Sequence, residues 1–138
     1  MLFRSTPNNR PVSTLKVSLP MNILYVEDNS DVRELIYLML EEEGLTAVAC
    51  ANAEEAEVEF ARRRFDMLIT DVSLPGMPGT ELARRLQATR PDLWVVFCTG
   101  YPMRVGSSAR GARARCLGKP FEAEELRALL DECRAGVS

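Results

Sequence analysis

"FDMLITDVSLPGMPG", residues 65–79, begins as an apolar run and stops on an aspartate. Met67, Leu68 and Ile69 lead to Asp71, and two prolines and two glycines follow within the next eight residues. A short apolar run bounded by turn residues reads as a buried strand, and the Pro/Gly-rich stretch reads as a loop of restricted shape. A carboxylate mounted where such a strand ends is held still. What it does there depends on what else reaches the same place.

Working outward, the same pattern recurs on both sides. Ile23–Val26 is a short apolar run, and Val32, Leu35, Ile36, Met39 and Leu40 then repeat at helical spacing up to Gly44, the stop. Residues 45–50 form a second strand, and Asn52 with Glu55 resembles a capping box that opens a helix through about Arg64. Asp66–Thr70 is the third strand, and Thr80–Thr89 a helix with Leu82 and Leu86 on one face. Pro91 separates it from a fourth strand, Leu93–Cys98. Over 102–114, Gly106 and Gly111 lower helix propensity, so a short or mobile helix is expected there. Arg115–Gly118 is a fifth strand, and Glu122–Ala135 a last helix with Leu126, Leu129, Leu130 and Cys133 in register, ending at Gly136.

Strands and helices thus alternate five times. That order predicts an α/β fold, a five-stranded parallel sheet, doubly wound, with helices on both faces in three layers. Near-continuous apolar strands agree, because both faces of such a sheet are covered. With 138 residues the chain fits one domain, expected over 21–138. Residues 1–20 hold three prolines, two adjacent asparagines and no acid, and are expected to be a disordered extension.

Composition excludes several function classes. A formal charge of −3 argues against a direct nucleic-acid binder. No apolar run approaches the roughly 20 residues that cross a bilayer, so no membrane helix is expected. The chain has no histidine, which removes any histidine base or nucleophile. Its four cysteines, Cys50, Cys98, Cys116 and Cys133, lack CxxC spacing, so they are expected to be buried, reduced thiols of a cytoplasmic protein rather than zinc ligands.

In open α/β sheets ligands bind beyond the carboxyl ends of the strands. The first strand delivers Glu27 and Asp28 there, the third Asp71, the fourth Thr99 and Gly100, and the fifth Lys119 and Pro120. Three carboxylates held together repel unless a cation joins them. Mg2+, a hard cation that takes oxygen ligands and phosphate, suits the set. It leaves Asp71 able to attack phosphorus, with Lys119 to pair with the new phosphoryl charge and the Thr99 hydroxyl to donate to it.

YVEDN at 25–29, LITDVSLPGMPG at 68–79, FCTGY at 97–101 and GKPF at 118–121 resemble, in that order, the motifs of response-regulator receiver domains of the CheY-like type. The resemblance covers roughly residues 21–136 and implies a flavodoxin-like sheet in the order 2-1-3-4-5. It implies that Asp71 accepts a phosphoryl group from a histidine kinase or a histidine phosphotransfer protein. Glu27, Asp28, Asp71 and the backbone carbonyl of Ser73 would hold Mg2+, Thr99 would be the switch hydroxyl, and Lys119 the phosphate-pairing lysine. It also makes the Lys119–Pro120 bond a cis candidate.

The sequence departs from that family at one place. Receivers commonly carry Phe or Tyr three residues before the lysine, a position held here by Cys116. Tyr101, in a run that resembles the FATGY-like variant of some single-domain receivers, is a candidate substitute. The alternative is an exposed loop tyrosine. Ser73 and Tyr101 also occupy family positions that influence how fast water removes the phosphoryl group. Arg104, Arg110, Arg113 and Arg115 lie in a stretch, 93–121, without one acid. They read either as an interaction face for an acidic partner or as solvated charge.

The expected function is that of a stand-alone receiver in a two-component phosphorelay, switching conformation on phosphorylation. It would be no enzyme beyond Mg2+-dependent self-phosphorylation and autodephosphorylation at Asp71, and a monomer or a phosphorylation-dependent homodimer. The alternative is a receiver-like interaction module that works without phosphorylation. A phosphatase with an aspartate nucleophile would place a second aspartate at residue 73, which is serine. A flavin mononucleotide carrier would place a hydroxyl- and glycine-rich loop where EDNSD, 27–31, stands.

Overall fold

In a computed structural model of the chain, residues 21–100 and 113–137 are described. Five strands, β1 (Asn22–Val26), β2 (Thr46–Cys50), β3 (Met67–Asp71), β4 (Trp94–Thr99) and β5 (Ala114–Gly118), form one sheet in the order β2-β1-β3-β4-β5. All neighbours run parallel, with Leu24 beside Val48 and Leu68, and Thr99 beside Gly118. Four helices accompany them among the described residues: α1 (Ser30–Glu42), α2 (Ala53–Arg62), α3 (Gly79–Thr89) and α4 (Ala123–Val137). This is the doubly wound arrangement that the alternation of strand and helix patterns predicts, in the flavodoxin-like strand order that the resemblance implies.

Period-2 alternation divides the strand side chains between two cores. Ile23, Tyr25, Met67, Ile69, Val96 and Cys98 pack with Ile36 and Leu40 of α1 and Leu126, Leu130 and Cys133 of α4. Leu24, Val26, Leu68, Val95 and Phe97 pack with Ala53 and Ala56 of α2 and Leu82, Ala83 and Leu86 of α3. A fully buried strand leucine such as Leu24, with no exposed surface, contributes about 1.5–3 kcal/mol. Because both faces are anchored, the strand ends are fixed points.

Local signals explain most boundaries. Asn29 caps α1, its side chain accepting from the Val32 amide, and Gly44 ends it in the left-handed region at φ 80°. Asn52 caps α2 by accepting from the Glu55 amide at 2.8 Å. Glu55 reaches back one residue beyond the expected capping box, to the Ala51 amide at 2.9 Å.

Three expectations need correction. Leu35 is 59% exposed, because Val32, Ile36, Met39 and Leu40 already form the buried stripe and Leu35 lies to one side of it. The last helix continues past Gly136 to Val137, since a lone glycine costs a helix about 1 kcal/mol rather than forbidding it. Cys116 is half-buried instead of buried, as it lies on the edge strand β5, while Cys50, Cys98 and Cys133 are buried. All four thiols are free. The expected helix within 102–114 and the extension 1–20 lie outside the described residues, apart from the last two positions of the former. No helix among the described residues is long and apolar enough to cross a membrane.

Candidate functional site

Sheet topology brings the ends of β1, β3, β4 and β5 to one edge, and with them Glu27, Asp28, Asp71, Thr99 and Lys119. Glu27 is the most constrained. Its amide donates to the Cys50 carbonyl at 3.0 Å, and its own carbonyl accepts from Arg33 Nη1 at 2.8 Å. Its carboxylate accepts from the Asn29 amide at 3.1 Å and from Lys119 Nζ at 3.2 Å. Asp28, the next residue, is exposed, whereas Glu27 is 3% exposed.

Asp71 is the last residue of β3, its side chain 13% exposed, with Oδ1 3.4 Å from Lys119 Nζ. The loop after it turns through Gly76 at φ 79° and returns so closely that the Gly79 amide donates to the Val72 carbonyl at 2.9 Å. A Cβ on Gly79 would stand 2.0 Å from the Asp71 carbonyl oxygen, so only glycine fits this approach. The Thr70 hydroxyl donates to that same carbonyl at 2.9 Å. Asp71 is therefore fixed from the strand and from the loop.

Thr99, 7% exposed, ends β4, and its carbonyl accepts from the Lys119 amide at 2.8 Å. The Lys119–Pro120 peptide is cis, and the lysine ammonium reaches Glu27 and Asp71. Burial opposes the charge of Lys119, but Glu27 and Asp71 outweigh it and raise its pKa above the ordinary lysine value. Beneath the acids, burial pushes the Cys98 thiol up to about 12, with Lys119 opposing and Asp71 and Glu27 adding to it. Burial and Glu27 likewise raise the Tyr25 phenol. Both stay protonated near neutrality, so neither offers a competing anionic nucleophile.

One ligand oxygen from each of Glu27, Asp28 and Asp71 lies within 4.8 Å of the others. Three carboxylates meet here, the Lys119 ammonium pairs with two of them, and the donors are all oxygen, which is the chemistry that Mg2+ accepts. Ser73 is exposed, two residues beyond Asp71. Cys116 lies beside Phe97 on the neighbouring strand, its thiol pKa raised by burial. Tyr101, Arg104 and Arg110 lie outside the described residues. Arg113 and Arg115 stack on the Trp94 ring at 5.2 and 5.1 Å, and Arg115 also pairs with Glu132 at 2.9 Å. Sequence reasoning missed Arg33 and Gly79. For Gly79 the signal was the glycine that closes the loop; for Arg33, five residues past Asp28 on a helix, there was none.

This set of strand ends, on this sheet, gathers three carboxylates, a threonine and an ammonium at one edge. The chain belongs to the response regulator receiver domain family, which it matches over residues 23–131. Receivers are the phosphoacceptors of two-component phosphorelay signalling. The chain is 34% identical over 106 residues to the response regulator receiver protein CpdR of Brucella abortus, covering 75% of this chain and 88% of CpdR. It is 32% identical over 113 residues to the C4-dicarboxylate transport transcriptional regulatory protein DctD of Rhizobium meliloti, 80% of this chain but only 24% of DctD. Among solved structures, the response regulator TrrA of Thermotoga maritima in complex with Mg2+-BeF superimposes with a TM-score of 0.74 at 30% identity, covering 82% of this chain and 98% of TrrA.

Proposed function

We propose that Asp71 is the phosphoacceptor of a Mg2+-dependent receiver whose donor is a histidine kinase or a histidine phosphotransfer protein. The observation that carries this reading is the meeting of Asp71 with Lys119 at 3.4 Å inside the cluster formed with Glu27 and Asp28. Glu27, Asp28, Asp71 and the Ser73 carbonyl would hold Mg2+, which supplies positive charge to the carboxylates and to the oxygens of the incoming phosphoryl group.

An Asp71 carboxylate oxygen attacks phosphorus, and the new O–P bond forms as the bond from phosphorus to the donor histidine nitrogen breaks. The electron pair stays on that nitrogen. Lys119 then pairs with the phosphoryl oxygens, and the Thr99 hydroxyl donates to one of them, biasing the two-state loop arrangement. Tyr101 and Cys116 are the positions where this chain's readout differs from the common pattern, and Ser73 and Tyr101 tune the lifetime of the phosphoryl group. In this reading residues 21–138 are one receiver domain, residues 1–20 an extension outside it, and the protein works in the cytoplasm by binding a target protein, as a monomer or as a phosphorylation-dependent homodimer.

Intact-protein mass spectrometry after incubation with acetyl phosphate tests this. One phosphoryl adduct is expected, requiring both Mg2+ and Asp71, and Asp71→Asn shows none. An adduct that survives Asp71→Asn overturns the assignment. Absence of any adduct from acetyl phosphate and from a histidine-phosphorylated donor favours the phosphorylation-independent interaction module.

A further inference from the structure

The β1–α1 connection carries two of the three acids, yet only Glu27, Asp28 and Asn29 lie between strand and helix. Its first residue is pinned to β2 through the Glu27 amide and Cys50 carbonyl. The Glu27 carbonyl has left the sheet ladder, and the guanidinium of Arg33 reaches it at 2.8 Å. The Arg33 amide also donates to the Asn29 carbonyl at 2.8 Å, so one residue of α1 grips both ends of the connection. A cation so near a helix N-terminus gains nothing from the helix dipole, whose positive end is there. What it gains is the carbonyl.

We propose that Arg33 is a positioning residue for the cation site. By holding the Glu27 carbonyl it sets where the Glu27 and Asp28 carboxylates stand relative to Asp71. This rests on the reading of those acids as Mg2+ ligands. Charge alone predicts the opposite effect: a guanidinium close to the acids repels a divalent cation, so its removal would tighten Mg2+ binding. Positioning predicts that removal loosens it. The sign of the change therefore separates the two roles.

The experiment is a MgCl2 titration of the wild-type chain, Arg33→Gln and Arg33→Lys, followed by the amide shifts of Glu27, Asp28 and Asp71. Outer-shell partners of metal ligands are worth about tenfold or more in affinity, so Arg33→Gln is expected to bind Mg2+ about tenfold more weakly. Arg33→Lys, which keeps a charged donor, restores most of the loss. The Mg2+ concentration needed for uptake of phosphoryl from acetyl phosphate shifts by the same factor. If Arg33→Gln does not fold, Arg33→Met, which retains the packing of the stem, takes its place. Equal or tighter Mg2+ binding by the variant overturns the proposal while the site stands. A wild-type chain that takes up no Mg2+ overturns the site itself, and this inference with it.

Discussion

The two ends of the sheet handle charge in opposite ways. At the carboxyl ends Glu27, Asp28 and Asp71 crowd together, and Lys119 pairs with Glu27 and Asp71. At the amino ends the polar groups find individual partners. Asp66 accepts from the Asn22 amide at 2.9 Å, the buried Gln87 side chain donates to the carbonyls of Leu93 and Arg113 at 3.0 and 3.3 Å, and Arg90 donates to the Phe65 carbonyl and pairs with Asp92. Among the described residues the Trp94 indole Nε1 and the Arg134 Nε are exceptions, buried without a hydrogen-bond partner. One end is built to be finished by folding, and the other leaves negative charge for something that arrives later. Changes at the two ends should therefore move different observables.

The largest effect is expected from Asp28→Asn. It removes one carboxylate of the proposed cation site and also some repulsion, so Mg2+ affinity measured by titration falls at least about tenfold. Thermal stability in chelator stays level or rises slightly, by roughly 0.5 kcal/mol at most. A loss of stability in chelator would break the contrast between the ends. Gly79→Ala is next. Forcing a Cβ against the Asp71 carbonyl costs about 2 kcal/mol, seen as a melting point lower by roughly 5–10 °C, and phosphoryl uptake falls with it.

Gln87→Ala probes the other end. The Leu93 carbonyl loses its side-chain donor while the Arg113 carbonyl keeps the Val95 amide, stability drops by about 1–2 kcal/mol in denaturant titration, and the rate of phosphorylation by acetyl phosphate is unchanged. The smallest effect concerns pH. Lys119 has a raised pKa in the folded chain, so its contribution is fully present below the unfolded value, 10.5, and is lost as pH rises through the folded one. Unfolding free energy should fall more steeply above about pH 10.5 in the wild type than in Lys119→Met.

The same contrast explains what was legible in the sequence. The fold was, because each strand is a continuous apolar run and each helix repeats at its own period, signals that need no partner to be read. The gathering of Glu27, Asp28, Asp71, Thr99 and Lys119 at one edge was, because a topology rule places the strand ends together, and five polar residues stand at four of those ends. The close approach of Gly79 and the reach of Arg33 were not. Both are contacts to backbone carbonyls, and a carbonyl is the same at every position, so it leaves no mark in the sequence. Leu35 was misread because a periodic stripe has edges that only packing decides.

β4 begins with Trp94 and ends with Thr99, and Trp94 is the only tryptophan in the chain. At about 3.3 Å per residue the two stand roughly 16 Å apart along one rigid strand. The cations of Arg113 and Arg115 both lie over the indole, an environment that influences its emission. The protein thus carries its own optical gauge at the end of the strand remote from the chemistry. A signal there on phosphorylation would show that the switch is felt through the full length of the sheet, and silence would confine it to the strand tips.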